Sequence, residues 1–268
     1  MAAYYNEIDP KAAAWLRELV KQGLIADGDV DETDIRDVEP ARLAGYTQCH
    51  FFAGIGGWSY ALRLAGWPDD RPVWTGSCPC QPFSAAGRRE GVADERHLWP
   101  HWHHLISQRS PSIVFGEQVA SSDGLGWLDL VSNDMEATGY AFGAADLCAA
   151  GIGAPHIRQR LYFVGVADTD HARSSRSRQP INEHVQAGWK AEEQRLAPGD
   201  MAAPFWATSV QTDKGADGTV RRLPSYFGPG VDGLSARVGR LRGYGNAIVP
   251  QVAAAWIEAV IEYEREQP

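Results

Sequence analysis

A buried-type strand that runs directly into a glycine-rich turn is the feature of this sequence that most limits its possible folds. The strand predicted at 47–52 leads into Ala53-Gly-Ile-Gly-Gly57, and a helical pattern follows at 58–65. Closely spaced glycines let a backbone approach a ligand, and the start of a helix offers unpaired N–H groups. Glycines that serve only packing are an equally open interpretation of this segment taken alone.

Short apolar runs and helical stretches alternate along most of the chain. Strands are predicted at 3–8, 72–75, 112–115, 140–146 and 160–165, and helices at 10–22, 97–108, 127–138 and 249–264. Such alternation is typical of a sheet with helices on both faces. The sequence therefore predicts an α/β fold with a doubly wound, mostly parallel, Rossmann-like sheet.

The composition is that of a folded globular protein, with 44% hydrophobic and 22% charged residues and a formal charge of −9. This excludes disordered and coiled-coil chains. No apolar run approaches the roughly 18 to 20 residues of a membrane span, and no signal-peptide pattern is present, so we expect a cytoplasmic location without a membrane partner. The acidic balance argues against a nucleic-acid partner, because such proteins usually carry a basic surface.

Helical and strand periodicity is lost after about residue 168, where Arg, Ser, Gly and Pro become frequent. We predict a larger domain at 1–168, a small irregular subdomain at 169–236, and a C-terminal segment at 237–268 that returns to the larger domain. Residues 169–244 hold 11 basic and 8 acidic side chains, a balance of +3, which leaves −12 for the rest of the chain. The positive charge is concentrated where the pattern is least regular.

The four cysteines predict free thiols, because no export signal accompanies them. Cys78 and Cys80 are too closely spaced for the usual zinc pair, and His97, His101 and His104 lack carboxylate or thiolate ligands at matching offsets, so no metal site is predicted. Cys80 is flanked by prolines in a loop that follows a strand, which favours rigid presentation over burial. A reactive thiol fits this loop better than an inert one.

Three charged residues are candidates for a site, and Glu117 is predicted at the edge of the sheet that also carries Cys80. Glu117 follows the strand at 112–115, and a carboxyl group beside a thiolate can protonate or hydrogen-bond a heterocycle that sulfur attacks. Arg158 and Arg160 alternate into a strand, so both point to one face, where they could bind an anion or a base. Solvated positions are the alternative for all three.

Five segments together resemble, in the family's order, motifs of the cytosine-5 DNA methyltransferases. They are Phe52-Ala-Gly-Ile-Gly-Gly57, Pro79-Cys-Gln-Pro-Phe-Ser84, Glu117-Gln-Val119, Arg158-Gln-Arg160 and Gly245-Asn-Ala-Ile-Val-Pro250. The match covers roughly residues 50–166 and 237–260, and the joint pattern is far more specific than any one segment.

The resemblance implies methylation of carbon 5 of a cytosine flipped out of double-stranded DNA, with S-adenosyl-L-methionine as cofactor. Cys80 would attack carbon 6, Glu117 would engage ring nitrogen 3 and the amino group, Arg160 would assist at the base carbonyl, and Arg158 would position the catalytic loop. Domain 1–168 would then be the catalytic and cofactor-binding domain, and 169–236 the target-recognition subdomain.

The resemblance also implies two sets of binding residues. The cofactor would be contacted by Phe52, Ala53, Gly54, Ile55, Gly56, Gly57, Pro79, Asn246 and Ile248. DNA would be contacted by Gln81, Ser84, Arg221 and Arg222. For the two arginines, a solvated loop is the equal alternative to a phosphate contact.

The sequence departs from the family pattern at three places. Gln118 stands where Asn is common, and His156 stands where Gln is common; neither change removes a reacting group. The glycine loop is also not followed, about 20 residues on, by an acidic residue that closes on a ribose, because the segment 67–76 is too short for the required strand and helix.

We expect the missing unit within residues 1–40, ahead of the glycine loop, which gives a permuted strand order. Segments 6–10 and 33–38 resemble the family's second and third motifs. Its cofactor residues would be Glu7 at the ribose hydroxyls, Ile8 on the adenine ring, Asp34 at the adenine amino group, and Ile35. An acidic extension without function is the alternative.

The permuted order creates a topological problem for the helix at 58–65. This helix must join the glycine-loop strand to the Cys80 strand, which on its usual face would give a rare left-handed crossover. The helix is therefore expected either to change face or to sit in an irregular connection.

Two further functions stay open on the sequence. The first is RNA methylation, because tRNA enzymes in the wider family share these motifs. The second is a non-catalytic DNA-binding relative, which the intact charged and thiol residues disfavour. We expect a monomer. The resemblance also suggests a phage or prophage setting, where similar compact chains occur. Whether a restriction endonuclease partner exists is left open.

Overall fold

The computed structural model describes residues 2–79, 98–154, 156–167, 211–214, 220–223 and 247–266. The strands in these ranges are β1 Ala2–Asn6, β2 Gly28–Asp31, β3 Tyr46–Phe51, β4 Val73–Gly76, β5 Ile113–Val119, β6 Tyr140–Cys148, β7 Gln159–Ala167, β8 Gln211–Lys214 and β9 Val220–Leu223. The α-helices are α1 Pro10–Lys21, α2 Gly57–Leu64, α3 Trp99–Arg109, α4 Ser122–Ala137 and α5 Pro250–Glu266.

Seven strands form one sheet in the spatial order β2-β1-β3-β4-β5-β7-β6. Strands β1 to β5 run parallel, whereas β7 is antiparallel to both β5 and β6. The predicted doubly wound, mostly parallel α/β fold is confirmed. Strands β8 and β9 pair antiparallel in a separate two-stranded sheet within the segment predicted to be irregular.

Helix α1 begins where its sequence provides both a cap and a proline. The Asp9 side chain accepts hydrogen bonds from the N–H groups of Lys11 at 2.8 Å and Ala12 at 3.1 Å, and Pro10 occupies the first helical turn. Ala13 and Leu16 are buried on the face toward the sheet. The chain leaves the helix at Gly23, whose φ is 66°.

Strand β2 lies in an acidic stretch for which the sequence analysis gave no strand bounds, although the permuted order places two cofactor strands ahead of the glycine loop. Gly28 and two aspartates are poor strand formers, so no local pattern revealed it. Parallel pairing with β1 holds it, and the Tyr4 hydroxyl donates to the Asp31 carboxylate at 2.6 Å. Gly28 approaches Ala3 so closely that a Cβ would overlap the Ala3 carbonyl.

Side chains alternate between the two faces of the sheet and bury a layer of helices on each. On one face, Tyr5 packs against Leu16 of α1, and its hydroxyl lies 3.0 Å from the Ser59 hydroxyl of α2. Helix α5 packs beside α2 on this face. On the other face, Phe51 packs against Trp102 of α3, within a cluster that also contains Trp127 of α4.

The crossover β3–α2–β4 has the opposite hand to the crossovers on either side of it. Helices α1 and α2 lie on the same face, but their connections step across the sheet in opposite directions. Helix α3 lies on the other face, and its connection from β4 to β5 crosses the sheet in the same direction as the connection through α2. The crossover β4–α3–β5 therefore shares the hand of β1–α1–β2. Since about 98% of such crossovers are right-handed, β3–α2–β4 is the left-handed one. The helix therefore keeps its face, and the change of face considered above does not occur.

Within the part of the chain that the structure describes, no helix is long and apolar enough to cross a membrane.

Candidate active site

The carboxyl ends of β1, β3, β4 and β5 meet at one edge of the sheet because these strands are parallel. The glycine loop follows β3 at this edge, and the segment leading to Cys80 follows β4. Ligand sites of open α/β sheets lie at this edge. The fold therefore brings the predicted cofactor loop and the predicted catalytic segment together.

The glycines of the loop after β3 serve different purposes. Gly54 and Gly56 have φ values of 57° and 82°, a region that non-glycine residues adopt at a cost. A Cβ at Gly56 would lie 3.3 Å from Leu16 and Leu19 of α1, whereas one at Gly54 would meet only the Phe52 carbonyl oxygen, at 3.9 Å. Gly56 thus permits close packing, and Gly54 borders open space where a ligand could approach.

Replacing these two glycines with alanine separates packing from ligand access. Both variants incur left-handed backbone strain of about 1–2 kcal/mol, but only Gly56→Ala also presses on α1. We expect Gly56→Ala to lower the free energy of unfolding by about 1–3 kcal/mol more than Gly54→Ala does. Urea titration of both variants measures this difference, and an equal loss of stability would contradict it.

Glu7 lies beside the glycine loop, although 47 residues separate it from Gly54. One carboxylate oxygen accepts the Gly54 N–H at 2.7 Å, and the other accepts the Asp9 N–H at 2.8 Å. The Ala53 N–H also donates to the Asn6 carbonyl at 3.0 Å. The N-terminal unit is therefore adjacent to the loop, as a permuted order requires, and the Gly54 amide is already paired.

The other predicted residues of the N-terminal unit differ in exposure and in hydrogen bonding. Asp34 accepts two hydrogen bonds from the Arg36 guanidinium, at 2.9 and 2.7 Å, which together with its charge lowers the pKa of Asp34 despite partial burial. Ile35 is buried in the core, and Ile8 is 60% exposed. Ile8 is thus available to a ligand at this edge, whereas Ile35 contributes to packing beneath it.

Glu117 lies within β5 rather than after the strand, which corrects the predicted position. The strand extends to Val119 because β7 pairs with it along its full length. Glu117 is 6% exposed, and the Arg160 guanidinium Nε lies 2.8 Å from its carboxylate. Burial raises the pKa of Glu117, while Arg160, Arg158 and a hydrogen bond with Ser77 oppose that rise.

Arg160 pairs with Glu117, and the Arg158 charge also lowers the pKa of that carboxyl. Arg158 donates to the Ala247 carbonyl at 2.6 Å, which ties the segment before β7 to the start of α5. Its Nε is buried and meets no acceptor among the described residues. Burial and the Arg160 charge lower the pKa of Arg158. A desolvated donor beside a buried carboxyl is suited to bind a polar ligand.

The structure adds polar contacts that sequence patterns did not reveal. The Trp58 indole N–H donates to the Ser77 hydroxyl oxygen at 3.1 Å, and Ser77 in turn contacts Glu117. The Gln118 amide N–H donates to the Cys78 carbonyl at 3.1 Å, so the residue that replaces the usual Asn holds the segment leading to Cys80. Partners distant in sequence make these contacts, which is why no motif predicts them.

Several predicted site residues cannot be placed. Cys80, Gln81, Ser84 and Asn246 lie outside the described residues, as does His97. Pro79 is described and exposed. Arg221 and Arg222 occupy β9, and the strand register places their backbones opposite those of Asp213 and Thr212 in β8.

Ile248, a predicted cofactor contact, is buried near the glycine loop. It is 7% exposed, and a Cβ added at Gly57 would lie 2.8 Å from its side chain. Ile248 therefore packs against the start of α2 and supports the glycine loop from below. Within the described ranges, no group of three His, Cys, Asp or Glu side chains could hold a metal ion.

The sheet and the polar residues at its carboxyl edge define a Rossmann-like α/β protein with a ligand site at that edge. The family model for C-5 cytosine-specific DNA methylase matches residues 67–213, more than half of the chain. The chain belongs to this family. The match includes Glu117, Arg158 and Arg160, and it begins after the glycine loop.

The chain is also similar to individual methyltransferases. It is 27% identical over 167 residues to the Type II methyltransferase M.HhaI of Haemophilus parahaemolyticus, covering 48% of this chain and 51% of that protein. It is 38% identical over 95 residues to M.BspRI of Lysinibacillus sphaericus, covering 34% of this chain and 22% of that protein. The chain thus spans about half the length of M.HhaI and less of M.BspRI. Among solved structures, the Entamoeba histolytica methyltransferase EhMeth aligns over 99% of each chain with 13% identity and a TM-score of 0.39.

Proposed function

We propose that this chain transfers a methyl group from S-adenosyl-L-methionine to carbon 5 of cytosine in double-stranded DNA. The observation that carries the proposal is the buried Glu117 carboxyl paired with Arg160 and influenced by the Arg158 charge, in a chain that belongs to the cytosine-5 methylase family. A buried carboxyl with a raised pKa keeps its proton to a higher pH than an exposed carboxyl does, which favours its use as an acid at a cytosine ring nitrogen.

The residues around the glycine loop fit this cofactor. Gly54 borders open space, Ile8 is exposed for contact with an adenine ring, and Glu7 offers carboxylate oxygens for ribose hydroxyls. Asp34 would accept from the adenine amino group. When bound, S-adenosyl-L-methionine supplies an electrophilic methyl group at its positively charged sulfur.

The proposed reaction uses Cys80 as nucleophile and Glu117 as acid. The Cys80 thiolate adds to carbon 6 of the flipped cytosine while Glu117 protonates or hydrogen-bonds ring nitrogen 3, and the displaced electron pair makes carbon 5 nucleophilic. Carbon 5 takes the methyl group as the bond between that methyl group and the cofactor sulfur breaks. A solvent base then removes the carbon 5 proton, the double bond between carbons 5 and 6 forms again as the thiolate leaves, and ring nitrogen 3 returns its proton to Glu117.

The other predicted residues have supporting roles in the proposal. Arg160 would bind the base carbonyl, and Arg158 would hold the catalytic loop near the base. Phosphate contacts would come from Ser84 and, in the 169–236 subdomain, from Arg221 and Arg222. The N-terminal unit, residues 1–40, would supply the family's second and third motifs from a permuted position.

Methyl transfer from labelled S-adenosyl-L-methionine tests the function directly. The protein should label duplex DNA rich in cytosine, and nuclease digestion should release labelled 5-methylcytosine. Labelling of tRNA in place of DNA would identify an RNA methyltransferase. Absence of transfer to both substrates, with DNA binding retained, would identify a non-catalytic relative and overturn the proposal.

Glu7 provides a test of the permuted cofactor unit. Glu7→Ala should weaken S-adenosyl-L-methionine binding by about 10- to 100-fold, because a charged hydrogen-bond partner is lost, while DNA affinity changes little. Calorimetric titration measures the first affinity and fluorescence anisotropy the second. Glu39→Ala, an exposed carboxylate of the same unit, is the matched control. Equal losses of both affinities in Glu7→Ala would refute the assigned role.

A further inference from the structure

Ser77 connects the segment that leads to Cys80 with the buried carboxyl of Glu117. It directly follows β4 and lies three positions before Cys80. The Trp58 indole Nε1 donates to its hydroxyl oxygen at 3.1 Å. Strand β4 pairs with β5 one residue earlier, at Gly76 and Gly116, so Ser77 and Glu117 are neighbours on adjacent parallel strands. The Ser77 hydroxyl favours the charged form of Glu117, which lowers the pKa of that carboxyl.

The direction of these hydrogen bonds follows from the groups involved. An indole nitrogen only donates, so the Ser77 oxygen is the acceptor toward Trp58. The Ser77 proton is then free to point at the Glu117 carboxylate. Hydrogen bonds in a chain polarise one another, so the Trp58 contact makes the Ser77 hydroxyl a better donor toward the neighbouring carboxyl.

Trp58 is held firmly enough to fix the Ser77 hydroxyl. Its side chain is 4% exposed and lies in the helix α2 turn that follows the glycine loop. The ring is stacked on Phe115 at a centroid distance of 6.2 Å and meets Tyr162 edge-on at 6.0 Å. The donor to Ser77 therefore sits in a close-packed aromatic cluster.

The groups around Glu117 come from two sides. Arg158, Arg160 and Tyr162 approach from β7 and the residues just before it, and Ser77 approaches from the end of β4. Burial favours the neutral carboxyl group, whereas the two arginines and the Ser77 hydroxyl favour the carboxylate. Ser77 is thus an uncharged contributor to a balance that decides when Glu117 holds a proton.

We propose that Ser77, oriented by Trp58, is a positioning residue that holds the Glu117 carboxyl in place for the methyl-transfer reaction. The assignment rests on the proposed function of Glu117 as the acid at the cytosine ring. It links the helix after the glycine loop to the acid through two hydrogen bonds.

Replacement of Ser77 separates this role from a purely structural one. Ser77→Ala should move the limb of the kcat profile that reports Glu117 to higher pH by about 1 unit, because a hydrogen bond to the carboxylate is lost. Ser77→Thr keeps the hydroxyl and should restore the wild-type limb. Trp58→Phe keeps an aromatic ring but removes the donor, so a smaller shift in the same direction is expected.

Trp67→Phe is the matched control for the tryptophan. Trp67 is also buried, also packs on Phe115, and donates its indole N–H to the Arg71 carbonyl at 3.2 Å, away from Glu117. Its replacement should cost stability but leave the pH profile in place. Equal shifts in Trp58→Phe and Trp67→Phe would show that general loosening of the core is responsible.

Titration of Glu117 by carbon-13 NMR makes the inference independent of catalysis. With glutamate labelled at its carboxyl carbon, the Glu117 signal is assigned by its absence in Glu117→Gln. A higher pKa in Ser77→Ala than in the wild type is expected, and an unchanged pKa overturns the inference. Failure of the wild type to methylate cytosine would overturn the proposed function instead, and the titration would still decide the role of Ser77.

Discussion

Glu117→Gln is expected to lower kcat for methyl transfer by about 10²- to 10⁴-fold, the range in which a positioned acid or base contributes. The amide cannot give a proton to ring nitrogen 3, although it fills nearly the same volume and still accepts a hydrogen bond from Arg160. Affinity for S-adenosyl-L-methionine should remain close to that of the wild type, because Glu117 lies apart from Glu7 and the glycine loop in the sheet order.

The Glu117 prediction needs a control for stability, since the change leaves the Arg160 charge without its carboxylate partner. Thermal unfolding of the variant shows whether the loss of activity reflects unfolding at the assay temperature. Glu258→Gln makes the same chemical change at an exposed position of α5 and should be neutral. A Glu117→Gln variant that is folded and retains wild-type kcat would remove Glu117 from the mechanism.

Cys80→Ala should reduce methyl transfer to background, a fall of at least about 10⁴-fold, because no other group would activate carbon 5. Cofactor and DNA binding should persist, since the thiol contributes bond formation rather than ground-state affinity. Steady-state assays and binding titrations on the same preparation separate the two effects.

Cys78→Ala is the informative control for Cys80. Cys78 is 2% exposed, and its carbonyl is held by Gln118, so its role is to fix the segment that precedes Cys80. Its replacement should lower activity far less than Cys80→Ala does. A larger loss of activity in Cys78→Ala than in Cys80→Ala would contradict the assignment of Cys80 as the nucleophile.

Several helices and strands could be predicted from the local sequence alone. Helix α1 was predicted at 10–22 and spans Pro10–Lys21, and the strand predicted at 140–146 extends only two residues further, to Cys148. Periodicity, an aspartate cap and a helical proline are enough for such elements. Placing the N-terminal unit beside the glycine loop also required only the motif resemblance.

The errors arise where tertiary contacts override local preference. Strand β2 forms from poor strand-forming residues because β1 pairs with it and Tyr4 binds Asp31. Strand β5 runs through Glu117 because β7 pairs with it to Val119, which no pattern within β5 could indicate. The sequence analysis expected α2 to change face or to sit in an irregular connection, whereas α2 keeps the face that it shares with α1.

Some residues of the candidate site could also be predicted from the sequence, whereas the contacts that orient them could not. Glu117, Arg158 and Arg160 could be named from their spacing, and the structure brings them together. The contacts from Trp58 to Ser77 and from Gln118 to Cys78 join residues 19 and 40 positions apart, and no spacing rule covers them. Side chains that orient a reacting group are therefore what the coordinates add.

The most direct test of the account is covalent capture on duplex DNA that contains 5-fluorocytosine. After methyl transfer, fluorine at carbon 5 cannot leave as a proton does, so the bond between Cys80 and carbon 6 should persist. With S-adenosyl-L-methionine present, the wild type and Cys78→Ala should give a protein–DNA complex that survives denaturation, and Cys80→Ala should give none. A complex that persists in Cys80→Ala, or no complex from a wild type that methylates ordinary cytosine, would contradict the account.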